Sequence, residues 1–563
     1  MPNPIMRGAD AVVQVLCEEG VDTVFGIPGG QMIPIYDALY DSPIRNVLVR
    51  HEQGAAHMAD GFARATGRVG VCMATSGPGA LNLVTGLCNA MMDSVPMVAI
   101  TGQVTRPAIG RDSFQEADTT GVTIPVTKHN YLVKDETELA DTLREAFYLA
   151  ATGRPGPVLV DVPGDVARAQ VPFNERCIEC LDAFEEPLRP VPADIERAAE
   201  LINSAERPLL YIGGGVISAG GSELLTQLSD KCNLAVVHTL MGKGGFPESR
   251  DLSMGMPGMH GMAYASHALH ECDLMVVIGA RFDDRVTGDL SRFSPGTQVV
   301  HIDIDAAEIG KVREAHVPIV CDARAALEAL LPLCRERGRT AWEEHLLQEK
   351  QRLALKYAWD ETGMPPQFVV QKLHEVTGGQ AIVTTEVGQN QMWAAQYYSV
   401  DRPRHFLSSS GLGTMGFGFP AAVGAQFGCP DALVVDIAGD GSIQMNIQEM
   451  ATAMDFGLPV KICILNNGYL GMVRQWQDLF FDKRYSGVTL SARPDWVKLA
   501  EAYGAAGFST DDPEQVVPIM EQALAISDRP VIMDFRVSKE ENVFPFIPAG
   551  QAVENMILEP PRQ

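Results

Sequence analysis

Three times along its 563 residues the chain alternates short apolar runs with longer mixed segments. That alternation folds as parallel strands joined by covering helices. The first stretch runs to about residue 170, with strands expected at 22–27, 46–50, 69–74 and 96–100. A linker rich in Glu and Pro, residues 172–195, leads to a second stretch with strands at 208–212, 274–278 and 299–304. A charged segment, 335–363, reads as a helix and tether. The third stretch, about 365–540, places strands at 381–385, 433–435, 462–465 and 530–535. The expected organisation is therefore α/β: three doubly wound parallel-sheet domains at 1–172, 190–335 and 365–545, then a tail at 546–563. There is no short-period repeat, but the first and third stretches look alike in architecture.

Composition narrows the partners. Lys and Arg number 44 against 71 Asp and Glu, so the net charge of −27 repels nucleic acid and anionic membranes. No apolar run approaches the ~18 residues that suggest a membrane span. The opening Met1-Pro-Asn-Pro-Ile-Met-Arg7 lacks the apolar core of a signal peptide. Eleven scattered cysteines suit a reducing cytoplasm. Cys177-Ile-Glu-Cys180 is the only CxxC, and without a second pair or nearby histidines it is expected to be incidental rather than redox-active or zinc-binding.

Chemistry concentrates where strands are expected to end, since ligands of open parallel sheets collect beyond the carboxyl ends of the strands. Gly439-Asp440-Gly441-Ser442 follows one such run. Its glycines admit backbone amides close to a phosphate, and Asp440 can hold a cation against it. Asn467 ends the next run, 27 residues after Asp440. One carboxylate, one amide oxygen and a backbone carbonyl leave octahedral positions for phosphate oxygens and water, which is Mg²⁺ chemistry and not zinc chemistry. Either element alone reads as a plain turn. Glu52, between a strand and a helix, reads alone as an acid favoured by the helix dipole.

Together these elements resemble the diphosphate and Mg²⁺ motif of thiamine diphosphate (ThDP) enzymes. The resemblance implies Asp440, Asn467 and the carbonyl of Tyr469 as metal ligands. It implies Glu52 as the carboxyl that hydrogen-bonds N1′ of the cofactor's aminopyrimidine and so promotes loss of the C2 proton. In such enzymes the pyrimidine-binding and diphosphate-binding domains of one site come from different subunits, which makes a homodimer the minimum active unit and leaves a homotetramer open.

Over nearly the whole chain the sequence is similar to the catalytic subunits of acetohydroxyacid (acetolactate) synthases. The stretches that carry this include Phe25-Gly-Ile-Pro-Gly-Gly30, Ala74-Thr-Ser-Gly-Pro-Gly-Ala80, Arg281-Phe-Asp-Asp-Arg285, Gly388-Gln-Asn-Gln-Met-Trp393, Gly411-Leu-Gly-Thr-Met-Gly416 and Gly471-Met-Val-Arg-Gln-Trp476. The resemblance implies decarboxylation of pyruvate and transfer of its two-carbon unit to pyruvate or 2-ketobutyrate, giving 2-acetolactate or 2-aceto-2-hydroxybutyrate for branched-chain amino-acid synthesis. It adds Gly388, Gln389, Gly413, Gly439, Gly441, Ser442, Gly471 and Met472 around ThDP, and Met415 as the buttress of the bent cofactor.

The same resemblance implies a structural FAD in the middle domain, held by Arg154, Met259, His260, Gly261, Arg281, Asp283, Arg285, Asp303 and Asp322. Gly213-Gly-Gly215 follows a strand but lacks the GxGxxG spacing and an acid ~20 residues on, so it reads as a turn. Arg285 is matched to the second acid's carboxylate, and Trp476 to the extra methyl of 2-ketobutyrate. Gly29, Phe114 and Gln115 are matched to residues that a neighbouring subunit supplies. Two positions depart from the family pattern: Gly164 stands where lysine is usual and Thr105 where proline is common, which puts charge steering at the entrance in doubt. Relatives also use a separate small regulatory subunit. A pyruvate oxidase-like ThDP and FAD enzyme, or a non-catalytic nucleotide-binding regulator, remain the alternatives.

Overall fold

The computed structural model describes residues 4–359 and 361–559. The apolar runs become three six-stranded, wholly parallel sheets among the described residues. Ahead of the first, β1 (Ile5–Arg7) pairs antiparallel with β8 (Gln170–Pro172) and closes the N-terminal unit on itself. The first sheet holds β2 (Thr23–Gly26), β3 (Arg45–Leu48), β4 (Gly70–Ala74), β5 (Met97–Gln103), β6 (His129–Leu132) and β7 (Pro157–Pro163), in the order β3-β2-β4-β5-β7-β6. The middle sheet holds β9 (Pro208–Ile212), β10 (Ala235–His238), β11 (Ser253–Gly255), β12 (Leu274–Ile278), β13 (Gln298–Asp303) and β14 (Val317–Val320), in the order β11-β10-β9-β12-β13-β14. The last holds β15 (Ile382–Thr385), β16 (Phe406–Ser408), β17 (Val434–Gly439), β18 (Lys461–Asn466), β19 (Ala506–Thr510) and β20 (Val531–Arg536), in the order β16-β15-β17-β18-β20-β19.

Counted within each sheet, the outer two share the order 2-1-3-4-6-5, as their likeness in sequence suggested. The middle sheet instead has 3-2-1-4-5-6, the order of dinucleotide-binding folds. Strands buried on both faces should be continuously apolar, and β5, β9, β12 and β18 are buried along their whole length. The charged segment after the middle sheet forms a helix, Ala341–Arg352, started by a reciprocal capping box between Thr340 and Glu343.

The first and third units are joined by two helices. Glu52–Thr66 starts where the His51 ring accepts a hydrogen bond from the Gln53 amide, and stops at Gly67 in the left-handed region. It packs against Gly418–Gly428 so closely that a Cβ on Gly61 would lie 2.1 Å from the Ala421 carbonyl oxygen, and one on Gly424 1.9 Å from that of Met58. Beside this contact, buried Arg64 pairs with Asp60 and Asp93 and donates to the Ser408 carbonyl at 3.0 Å. Asp93 in turn accepts the amides of Ser410 and Gly411, at 3.0 and 2.7 Å.

Two expectations meet the structure differently. Cys177 and Cys180 form a disulfide, against the reading of that CxxC as incidental; the turn at Ile178–Cys180 brings their Cα atoms to 5.3 Å, within disulfide reach. The tail folds back: the Ile547 amide donates to the Met259 carbonyl at 2.8 Å, while residues 560–563 of the tail lie outside the described residues. Residues 1–3, on which the signal-peptide reading partly rests, lie outside them too. No described helix is long and apolar enough to cross a membrane.

The backbone contact at Gly424 makes a specific prediction. Gly424→Ala forces the two helices apart, an overpacking that costs ~1–3 kcal/mol. The thermal midpoint should fall, whereas Ala425→Gly, one residue on, should produce a smaller fall typical of helix propensity.

Candidate active site

Each sheet changes winding direction between two strands whose chains leave to opposite sides, and ligands bind in the crevice there. In the last sheet that crevice lies between β15 and β17. Gly388, which opens the helix Gln389–Tyr397, stands beyond β15, and Gly439, Asp440, Gly441 and Ser442 stand beyond β17. Asn467 follows β18. In the middle sheet the crevice lies between β9 and β12, where Gly213 meets Gly279: a Cβ on Gly213 would lie 2.2 Å from the Gly279 carbonyl oxygen.

One cavity of about 1500 Å³ runs through both crevices. Pockets for single drug-sized ligands measure ~300–1,000 Å³, so this space suits more than one such group. Arg154 of the first unit lines it, with Met259, His260, Arg281, Asp283, Arg285, Asp303 and Asp322 from the middle domain. From the third come Gly388, Gln389, Gly413, Met415, Gly439, Asp440, Gly441, Ser442, Asn467, Tyr469, Gly471 and Met472.

Asp440 is buried, and its Oδ2 accepts the Gly468 amide at 3.1 Å. Burial pushes its carboxyl up to about 7, and Arg493 opposes that rise less than the backbone amides do. A buried carboxyl so weakly compensated is what a bound cation would hold ionised. The Asn467 amide oxygen accepts from the Tyr469 amide at 3.0 Å, and its nitrogen donates to Gln389 at 3.3 Å, which orients the oxygen near Asp440's strand end. No cluster of three or more His, Cys, Asp or Glu suited to a metal occurs among the described residues. A cation here therefore relies on amide and carbonyl oxygens and on its ligand's own phosphates, a donor set that fits Mg²⁺.

Behind this loop lies Glu386, which the sequence reading passed over. It is fully buried and accepts from the amides of Gly416 (2.8 Å) and Phe419 (3.0 Å) and from the Ser442 hydroxyl. Burial raises its carboxyl, as it does that of neighbouring Asp436. Asn390 was likewise missed: its amide nitrogen ties the carbonyls of Glu386 and Ile437, at 2.7 and 2.9 Å. Gly213 to Gly215, read as a turn, line the cavity at a strand end. The signal for them was their place after an apolar run, not a motif.

Arg154 of the first unit reaches the middle domain and pairs with Asp305 (3.1 Å) and Glu308 (2.9 Å). Asp283 caps the short helix Asp284–Thr287, and Asp322 caps Ala323–Leu330. Burial raises Asp303 to about 6 and lowers His260 to about 3, leaving that imidazole neutral with Nε2 unpartnered. Gly261 lies outside the lining; it closes the turn, its amide donating to Gly258 at 3.0 Å. Arg285 lines the cavity, with contacts to the Met259 sulfur at 3.3 Å and to the Asp284 carboxylate at 3.6 Å.

Glu52 stands apart from this cavity. Its Oε2 accepts from Asn82 at 2.9 Å, and Gly79 and Thr75 crowd beside it. Gly29 abuts Thr75, while Gly77 abuts the Gln115 backbone, so Gly29, Gln115 and Glu52 share the strand ends of the first sheet. Phe114 is 87% exposed. The buried hydroxyls of Tyr36, Thr75 and Ser76 have no partner. Trp476 also stays off the cavity: it is half-buried on the helix Gly471–Phe480, its ring 5.5 Å from Phe480 and 6.0 Å from Phe546. One chain thus carries two separate groups of candidate residues, one at the strand ends of each outer sheet.

Residues 6–122, 195–330 and 386–535 match the N-terminal TPP-binding, central and C-terminal TPP-binding domains of thiamine pyrophosphate enzymes. The fold and the strand-end site thereby define a ThDP-dependent enzyme. The chain is 49% identical to the acetolactate synthase large subunit of Corynebacterium glutamicum, covering 97% of this chain and 89% of that one. It is 44% identical to that of Haemophilus influenzae, covering 99% of each, and 45% identical to a probable one from Methanocaldococcus jannaschii, covering 98% and 95%. The chain belongs to the acetolactate synthase large-subunit family.

Asp440→Ala should weaken ThDP binding in the presence of Mg²⁺ by ~100-fold or more, since outer-shell changes alone cost 10–100-fold. The cofactor-free protein should lose no stability, because the substitution removes a poorly compensated buried charge. Calorimetric titration with ThDP and a thermal melt of the unloaded protein check both.

Proposed function

We propose that the chain decarboxylates pyruvate with ThDP and transfers the two-carbon unit to a second 2-keto acid, pyruvate or 2-ketobutyrate. One observation carries this: Asp440 and Asn467 share one cavity at neighbouring strand ends, in a chain that aligns end to end with acetolactate synthase large subunits. When bound, ThDP supplies a nucleophilic carbon and an electron sink for the departing carboxylate. Asp440, Asn467 and the Tyr469 carbonyl would hold Mg²⁺ against its diphosphate, and the amides around Gly441 and Ser442 would receive the phosphates. Met415 would fix the cofactor's bend, with Glu386 holding the flanking amides.

Glu52 would share a hydrogen bond with the aminopyrimidine N1′ and so govern its proton. Because Glu52 lies off the cavity, the reading pairs it with the diphosphate half of a second copy, in a homodimer or a tetramer of such dimers. Thr75, Ser76 and Tyr36, buried without partners, are polar groups that such a completed site could engage. Arg285 would receive the second acid's carboxylate through its guanidinium fork.

FAD suits the middle crevice. The 3-2-1-4-5-6 order, the side-chain-free approach of Gly213 to Gly279, and the caps at Asp283 and Asp322 support it there, as a structural group outside net redox. The domains are taken as 1–172, 190–335 and 365–545 with the tail 546–563, the protein as cytoplasmic, and a small regulatory subunit as a possible partner by analogy with the large-subunit name of its relatives.

The test is an anaerobic assay with pyruvate, 2-ketobutyrate, ThDP and Mg²⁺, with products identified by mass spectrometry. Acetolactate and acetohydroxybutyrate should form without an electron acceptor, whereas acetate that appears only with oxygen would favour an oxidase. In the same assay Trp476→Gln should remain active but lower the acetohydroxybutyrate share, since a contact with one methylene supports roughly 10- to 200-fold selectivity. An unchanged ratio would leave Trp476 as packing between Phe480 and Phe546.

A further inference from the structure

Glu449 belongs to the third unit, in the turn Ile447–Glu449 that precedes the helix Met450–Asp455. It is fully buried, yet most of its bonds cross to the first unit. Its Oε1 accepts the Arg50 amide at 3.1 Å and the His51 amide at 3.0 Å, and its Oε2 lies 3.2 Å from the Arg50 amide. The Thr452 hydroxyl donates to Oε2 at 2.8 Å and fixes the carboxyl's plane. The Arg50 side chain is also held by the third unit, through Asp455. Space around Glu449 is tight: a Cβ on Gly54 would lie 2.4 Å from its Oε1.

The two amides that Glu449 holds are those directly before Glu52. The first amides of a helix have no intrahelical acceptor, so whatever receives them sets the angle at which the chain enters the helix. Within the segment the His51 ring accepts the Gln53 amide and its carbonyl accepts the Ala55 amide, but neither bond receives the Arg50 or His51 amide. Asn82 touches one oxygen of the Glu52 carboxyl and no backbone group of this segment. The two amides that lead into Glu52 are therefore both held from another unit by the Glu449 carboxylate.

Resting on the role proposed above for Glu52, we propose that Glu449 is its positioning residue, holding the Arg50 and His51 amides so that the Glu52 carboxyl stands at one place and angle. Glu449 touches no cofactor in this role. It acts through Glu52 alone, and removing it should cost turnover without costing diphosphate affinity.

The test is a double-mutant cycle on the full-length enzyme. Glu449→Ala and Glu449→Gln are made alone and with Glu52→Gln, and kcat for acetolactate formation and the Kd for ThDP with Mg²⁺ are measured for each. Misplacing a reacting group by about 1 Å costs ~100-fold, so Glu449→Ala should lose ~10- to 100-fold in kcat with its Kd for ThDP changed by less than about 3-fold. Glu449→Gln keeps one acceptor oxygen and should fall between it and the wild type. In the Glu52→Gln background either change should cost less than about 2-fold more, because groups that act as a unit are not additive. A loss in that background as large as in the wild type would overturn the proposal, as would unchanged kcat in a folded Glu449→Ala. If Glu449→Ala fails to fold, the near-isosteric Glu449→Gln decides by the same criterion. Near-wild-type turnover by Glu52→Gln alone would overturn the role of Glu52 and the proposal with it.

Discussion

The helix Glu52–Thr66 meets the helix Gly418–Gly428 backbone to backbone, and the two outer units are placed by that contact. With glycine at 61 and 424, carbonyl oxygens approach where a side chain would stand. The gap admits no slack, because interiors pack at crystal density and cannot deform continuously. Arg64, Asp60 and Asp93 extend the contact as a paired, hydrogen-bonded ion cluster reaching the loop at Ser408 to Gly411. Breaking such a buried pair leaves an uncompensated charge, so the cluster resists any sliding of one unit on the other. The loop it holds continues to Met415 on the cavity wall.

The sites follow from a second constraint, the geometry of parallel sheets. Every strand of a sheet delivers its carboxyl end to the same edge, and reversal of winding opens one crevice per sheet. Three sheets give three crevices. The middle and last of them merge into one cavity, and the first keeps Glu52 with Gly29 and Gln115. Buried carboxylates then act as acceptors for loop amides: Asp93 under Ser410, Glu386 under Gly416 and Phe419, Glu449 under His51. Each satisfies backbone groups that helix starts and loops would otherwise leave unpaired.

The parts of this arrangement that depend on local order were legible in the sequence. Apolar runs marked most central strands, and Gly439 to Ser442 with Asn467 marked two adjacent strand ends, because turn chemistry and strand length are short-range properties. Edge strands such as β11 and β16, only three residues each, carry too little pattern to be seen. The parts that depend on long-range partners were not legible. Glu386 and Glu449 look like ordinary acids until the fold sets amides from residues 30 and 398 positions away around them. Gly213 reads as a turn because its reason, the carbonyl of Gly279, lies on another strand. The disulfide at Cys177 and Cys180 depended on a local turn that composition does not disclose. Gly261 and Trp476 stand near the cavity in sequence but face away from its lining in space.

On the proposed function, the half-site at each outer sheet of one chain is completed by a second chain. Mixing two inactive variants tests this most directly. Glu52→Gln chains lack one half and Asp440→Ala chains lack the other; dissociated together and reassociated, they form hybrids in which one site has both intact halves. Random pairing of a symmetric dimer makes half the dimers hybrid with one working site of two, so about a quarter of wild-type activity should return. Activity that stays at the level of the separate variants, in a mixture shown to contain hybrids, would mean that Glu52 and Asp440 serve one site within a single chain.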